Sequence, residues 1–221
     1  MLEIRDLALD APDGQPLLAG LDLAVPTGGN LVVTGPSGSG KTWLLKVIAG
    51  LECPAGGRVR VAGRDIWPGD GALGMAGRVS VGFAFATGGL LSNLSLAENV
   101  ALPLRFLGMP AAESQPRVKS ALLRLGLAAV ASLRPHAVSA AARKHANLAR
   151  VLALQPALVL LDDPLEGLDT ADRAVVRELL QAWAADGAYT LVIAAEEAAS
   201  FAYLEAERLQ LSSMPMPVES P

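Results

Sequence analysis

Gly35-Pro36-Ser37-Gly38-Ser39-Gly40-Lys41-Thr42 sets a glycine, four residues and then Gly-Lys-Thr between two apolar stretches. Upstream, Asn30-Leu31-Val32-Val33-Thr34 has the composition of a short buried strand. Downstream, Trp43 to Ala49 reads as a helix closed by Gly50. Strand, glycine-rich turn and helix in that order point to an α/β core. The glycines let the backbone curl so that successive N–H groups face one chain of phosphates. The helix that follows adds the positive end of its dipole. Lys41 is placed to reach the β- and γ-phosphates, and the Thr42 hydroxyl to bind Mg²⁺. The expected ligand is a nucleoside triphosphate.

Composition narrows what surrounds that loop. A chain of 221 residues fits one α/β domain with a subdomain. Hydrophobic residues make up 52% and the mean hydropathy is +0.39, enough for a sizeable core and for an apolar surface facing a partner. No uninterrupted apolar run approaches the ~18 residues of a membrane span. Met1-Leu2-Glu3-Ile4-Arg5-Asp6 lacks the basic-then-apolar layout of a signal peptide. A net charge of −4 without a basic block argues against nucleic acid as a partner. The single Cys53 excludes a disulfide within the chain and a cysteine-rich metal site, which suits a reducing cytosol. His136 and His145 have no second ligand at metal spacing and are expected to be satisfied or solvent-facing.

Leu2, Ile4, Leu7 and Leu9 roughly alternate with polar residues, Asp13-Gly14 turns the chain, and Leu21, Leu23 and Val25 alternate again. This predicts an antiparallel pair ahead of the phosphate-loop strand, with Glu3, Asp6 and Asp10 on a solvated edge. Further strands are expected at Arg58 to Val61, with both arginines outward, and at Val79 to Phe85 before Gly88-Gly89. From about Leu94 to Leu154 the pattern turns helical, with Val118, Leu122 and Leu125 at helix spacing before Gly126. Ser139 is placed to cap a helix that stops before Pro156. Ala157 to Leu161 is apolar throughout, as in a parallel strand covered on both faces. Asp169 is placed to cap a helix ending near Gly187, Leu191 to Ala194 is a buried strand, Glu196 to Leu204 a short helix, and Arg208 to Leu211 a last strand. The sum is one domain over 1–211 with a helical insertion near 87–155, and a loose proline-rich tail at 212–221.

Asp162 directly follows the apolar run, where a carboxylate meets Mg²⁺ through water or through Thr42. Asp163 stands next, placed to polarise an attacking water. With its flanks, Leu161-Asp162-Asp163-Pro164-Leu165-Glu166-Gly167-Leu168-Asp169 resembles the Walker B and D-loop segments of ATP-binding cassette (ABC) ATPases. Ala86 to Leu104 is similar to that family's Q-loop and to the surface that docks a transmembrane partner. The resemblance runs from about residue 2 to residue 211 in matching order. It implies a P-loop NTPase fold with an ABC-type mixed sheet core, an antiparallel β edge and a helical subdomain insertion.

Several positions depart from the family pattern. The Q-loop glutamine aligns with Ala86. The signature Leu-Ser-Gly-Gly-Gln aligns with Val138-Ser139-Ala140-Ala141-Ala142, so Ser139 survives while both glycines are lost. The catalytic glutamate is Asp163, one methylene shorter, and the switch histidine is Glu196. The adenine-stacking aromatic expected near Ala11 is missing, which forgoes stacking of about 1–3 kcal/mol. A retracted base, a lost water-positioning amide and a lost imidazole each cost on the order of 10²-fold in rate. Glu196 also sets negative charge near a γ-phosphate.

The resemblance therefore implies a subunit that binds ATP with Mg²⁺ and hydrolyses it weakly. The family places ATP between two subunits, so Ser139 and Asp169 would meet nucleotide across a homo- or heterodimer. The implied partners are that second ABC subunit and a transmembrane permease, which puts the chain on the cytosolic face of the inner membrane. The apolar stretch from Leu90 to Leu107 is expected to be mostly core of the insertion, with some residues at the docking groove. Two alternatives stay open: a regulatory or scaffolding pseudo-ATPase, and a soluble ABC ATPase outside transport. Arg143 and Lys144 could face a phosphate or solvent, and the three tryptophans are expected to pack in the core, Trp43 beside Thr42.

Overall fold

The computed structural model describes residues 1–11, 13–67, 81–87 and 89–212. Strands β1 (Leu2–Asp10) and β2 (Pro16–Val25) pair antiparallel, and β4 (Gly56–Val61) and the two-residue β5 (Arg64–Asp65) extend them into a sheet ordered β2-β1-β4-β5. A second, parallel sheet is ordered β6-β7-β8-β3-β9. Its strands are β3 (Asn30–Thr34), β6 (Val81–Ala84), β7 (Leu158–Asp162), β8 (Thr190–Ala195) and β9 (Glu207–Gln210).

The broken alternation of β1 has a local cause. Leu2 and Ile4 point into the core at even positions, and Leu7 and Leu9 at odd ones. A bulge between Ile4 and Leu7, with Asp6 at φ 46°, inserts the residue that changes the phase. Gly57 crosses this bulge at φ 85°, where a Cβ would lie 2.3 Å from the Asp6 carbonyl oxygen. Arg58 and Arg60 face outward, as expected, and reach Asp65, with Glu3 also near Arg60.

The parallel strands are buried on both faces. On β7, Leu158 and Leu160 join a core with α1 (Lys41–Ile48) and the antiparallel sheet. Val159 and Leu161 join the opposite core, beneath the helices that follow β6 and beneath α5 (Thr170–Asp186). Those helices are α2 (Leu96–Phe106), α3 (Ala111–Arg124) and α4 (Ala140–Leu154). Ser139 caps α4 and Asp169 caps α5, accepting hydrogen bonds from the Ala142 and Asp172 N–H groups at 3.1 and 2.9 Å. Gly126 and Gly187 follow the ends of α3 and α5 at positive φ.

The helix expected from Glu196 to Leu204 is absent. Only a short 3₁₀ turn forms, Ala198–Phe201. Phe201 is buried in the core, and the Arg208 guanidinium takes the Ala198 and Phe201 carbonyls at 3.0 Å each. The Phe201 carbonyl also accepts from the Leu204 N–H at 3.0 Å, so one further turn follows the 3₁₀ segment, with Arg208 of β9 anchoring both carbonyls. Val79, Ser80, Gly88 and the tail from residue 213 onward lie outside the described residues.

Candidate functional site

The parallel register sets the site. β8 lies between β7 and β3, pairing Asp162 with Ala194 and Thr34 with Ala195. The carboxyl ends of three strands therefore lie side by side, and the loops leaving them, at residues 35–40, 163–169 and 196–197, share one edge. Gly35 turns out of β3 at φ 153°, and a Cβ there would lie 2.5 Å from the Leu211 carbonyl oxygen. Gly40 is the N-cap of α1 in the left-handed region, which brings the start of the helix under the loop.

Lys41 is buried, and its Nζ donates to the Gly35 and Pro36 carbonyls at 2.7 and 2.9 Å. The Thr42 hydroxyl donates to the Asp162 carboxylate, with Oδ2 at 3.0 Å and Oδ1 at 3.1 Å. Burial pushes the Asp162 carboxyl above its usual range, while the Thr42 hydrogen bond and Lys41 pull it back. Asp163 is also pushed up, first by burial and then by Asp162 and Glu166, against Lys41 and Lys144.

A polar cavity of about 440 Å³ opens beside the loop, and its walls include Ser37, Lys41, Asp163, Glu166, Arg173 and Glu196. Thus two of the three positions where the family pattern sets catalytic groups, Asp163 and Glu196, share a space with Lys41. Ala86 does not. It lines a neighbouring cavity of about 350 Å³ with Lys144, Asn147, Glu166 and Gly167. Ser139 and Asp169 line neither and spend their side chains as helix caps. Within one chain the structure joins the loop, Asp162, Asp163 and Glu196, and leaves Ala86, Ser139 and Asp169 outside.

Arg143 is exposed and Lys144 half-buried, and both donate to backbone carbonyls of their own chain. Arg143 donates to the Val138 and Pro135 carbonyls at 2.7 and 3.3 Å. Lys144 donates to the Asp163 and Glu166 carbonyls at 2.7 and 2.6 Å. Burial lowers the Lys144 ammonium's pKa, which Glu166 and the two aspartates raise in turn. Arg173 and Glu166 carry no motif signal of their own. Arg173 sits one turn into α5, and its Nε donates to the Leu168 carbonyl at 2.9 Å.

A nucleoside triphosphate with Mg²⁺ fits this donor set. Ser39 Oγ is buried in the loop without a hydrogen-bond partner. The Lys41 ammonium crosses the same loop, and the Thr42 hydroxyl stands beside a carboxylate, the oxygen pair that suits a hard cation.

Residues 18–166 match the family model described as ABC transporter. The chain is 35% identical over 185 residues to the lipoprotein-releasing system ATP-binding protein LolD of Chromohalobacter salexigens, covering 83% of this chain and 78% of that protein. It is 37% identical over 202 residues to the methionine import ATP-binding protein MetN of Caulobacter vibrioides, covering 89% of this chain but only 60% of that one. Among solved structures, the ATP-binding cassette MJ0796, a dimer with ADP and Pi, superposes with a TM-score of 0.84 at 24% identity over 97% of both chains. CbiO1 from Clostridium perfringens, part of the transporter complex cbiONQ, superposes with a TM-score of 0.73 at 26% identity, covering 89% of this chain and 78% of that one.

Proposed function

The chain belongs to the ABC transporter family of ATP-binding subunits, and from that premise we propose that it binds Mg-ATP at Gly35–Thr42, cleaves it slowly and engages a separate membrane permease. Lys41 would neutralise the outer phosphates, and Thr42 with Asp162 would hold the ion. When bound, Mg²⁺ supplies charge that withdraws electrons from the phosphoryl group. This chain's own residues decide what happens to water. Asp163 is the carboxylate available to orient it and to take its proton, on a side chain one methylene shorter than the glutamate of the family pattern. Glu196 adds a negative charge to the cavity wall that Lys41 shares. That shared wall is the observation that carries the reading: the cradle keeps Lys41, and the cavity beside it is lined by the carboxylates of Asp163, Glu166, Glu196 and Glu197, with no imidazole among the described residues that line it.

Support for the permease comes from the helical insertion. An apolar groove of about 480 Å³ runs between α2 and α3, lined by Ala97, Ala101, Met109, Val118 and Leu122 among others. Of the leucine-rich stretch before it, Leu96, Val100 and Leu104 are core, whereas Leu91, Phe106 and Leu107 are exposed. Among the described residues no helix is long and apolar enough to cross a membrane.

The test compares binding with turnover in the purified chain. Trp43 adjoins Thr42, so its fluorescence should report Mg-ATP, with Kd below about 1 mM. Steady-state turnover should stay under about 1 per second, beneath the ordinary enzyme median of roughly 10 per second. The double change Asp163→Glu, Glu196→His should raise turnover by at least about tenfold with little change in Kd. Turnover of tens per second from the unaltered chain would overturn the slow-cleavage reading, and failure to bind Mg-ATP would overturn all of it.

A further inference from the structure

Helix α4 meets two parts of the molecule at once. Along its length it packs on α2 and α3, whose facing surfaces form the apolar groove. Near its N-terminus, Lys144 reaches out of the insertion to the loop after β7. The two carbonyls it takes, Asp163 and Glu166, bound a turn closed by the Glu166 N–H on the Asp163 carbonyl at 3.2 Å. Asp163 itself has φ 42°, in the left-handed region that a side chain with a Cβ seldom occupies. Such a conformation persists only where its surroundings hold it. Here the Asp163 N–H is held by the Ala194 carbonyl at 3.0 Å, at the end of β8, and its carbonyl by Lys144.

We propose that Lys144 is a positioning residue whose ammonium clamps the Asp163–Glu166 turn to α4, so that the attitude of the helical insertion sets where the Asp163 carboxylate stands relative to Lys41. The assignment of Asp163 to the water side rests on the function proposed above; the clamp itself does not. An ammonium suits the task because it donates charge-assisted hydrogen bonds to two carbonyls from one nitrogen, amid the carboxylates of Asp162, Asp163 and Glu166. Arginine can supply the same pair from its fork, and a thioether cannot. The clamp also links the groove to the site by packed elements, because anything that tilts α4 must drag or break these two bonds.

Amide hydrogen exchange on the nucleotide-free full chain tests it. In Lys144→Met, peptides spanning 162–168 should exchange about tenfold faster or more, while those spanning 35–42 stay within about twofold of the unaltered chain. Lys144→Arg should restore most of the protection. Unchanged exchange at 162–168 in Lys144→Met, or no rescue by arginine, overturns the clamp. If the methionine variant loosens everywhere, the unaltered chain decides: ¹⁵N-lysine spectra should show an ammonium protected from solvent exchange and missing from Lys144→Arg. Absence of that signal overturns the clamp as well. Turnover adds the mechanistic arm, with kcat in Lys144→Met falling at least about fivefold and KM nearly unchanged. A fall in KM-linked binding with kcat intact would instead make Lys144 part of the nucleotide cradle and overturn the positioning role. Because exchange is read without nucleotide, loss of Mg-ATP binding would sink the proposed function and leave this result standing.

Discussion

Thr42, in the first turn of α1, and Asp162, at the end of β7, lie 120 residues apart in the chain and meet at 3.0 Å. Burial opposes the charge on Asp162, and the Thr42 hydroxyl and Lys41 oppose its neutralisation. Asp162→Asn keeps the shape and removes the charge. It should weaken Mg-ATP binding about 10- to 100-fold and leave metal-free ATP binding nearly unchanged, measured by calorimetry with and without Mg²⁺. Equal affinity in both conditions, variant against unaltered chain, would remove Asp162 from the metal site. Gly57 makes a backbone case at the same scale. A methyl there meets the Asp6 carbonyl at 2.3 Å, so Gly57→Ala should cost at least about 2 kcal/mol in urea unfolding while sparing the nucleotide site.

Among the elements, α2 shows how the insertion is joined. Ser95 and Glu98 form a reciprocal cap at its start. The Ser95 N–H and then its hydroxyl hold the Glu98 carboxyl below its ordinary 4.5. The stabilisation is therefore whole above pH 4.5 and is lost as pH falls through the lower value of the folded chain. The protection factors of the first turn of α2, taken relative to the intrinsic exchange rate at each pH, should fall across that acid window, and Glu98→Gln should flatten the dependence. One turn on, Asn99 is fully buried and serves the loop before the helix. It accepts from the Leu91 N–H at 2.7 Å and donates to the Leu91, Leu94 and Ser95 carbonyls. Pro103 cannot donate to the Asn99 carbonyl four residues back, and Arg150 Nε from α4 occupies that acceptor at 3.3 Å. Asn99→Ala leaves several buried groups unpaired and should destabilise the chain by about 2–4 kcal/mol, read by chemical denaturation.

At the scale of the whole molecule, two cores clamp the parallel sheet, and the helical one ends in an apolar surface. Phe106 is 90% exposed at the end of α2 and Leu107 is 62% exposed beyond it. Leu123, exposed on α3, lines the groove. Exposure of that size contributes little to folding of the single chain. Phe106→Ser with Leu107→Ser should keep the melting temperature within a few degrees and Mg-ATP affinity unchanged. The same pair should abolish co-purification with a permease. A large loss of stability would instead assign these side chains to the core.

Much of this was legible in the residues because it depends on local order. Alternation and apolar runs marked most of the strands, and side-chain caps with terminal glycines marked the long helices, since those signals act within a few residues of chain. The Gly35–Thr42 loop could be read whole for the same reason, as could Asp162 at the end of an apolar run. Where a pattern needed a partner from far away, the reading failed or stayed open. The segment after Glu196 reads as helical but forms only a short 3₁₀ turn, whose Ala198 and Phe201 carbonyls Arg208 reaches from β9. Lys144 looked as suited to solvent as to phosphate until the loop after β7 arrived beneath it. The phase shift in β1 made sense only with Gly57 lying against Asp6. Local chemistry thus determined which elements form and which loop carries the phosphate-loop pattern. Only the tertiary structure decided which distant carbonyl each long cationic side chain would satisfy, because that choice depends on which backbone groups burial leaves without water.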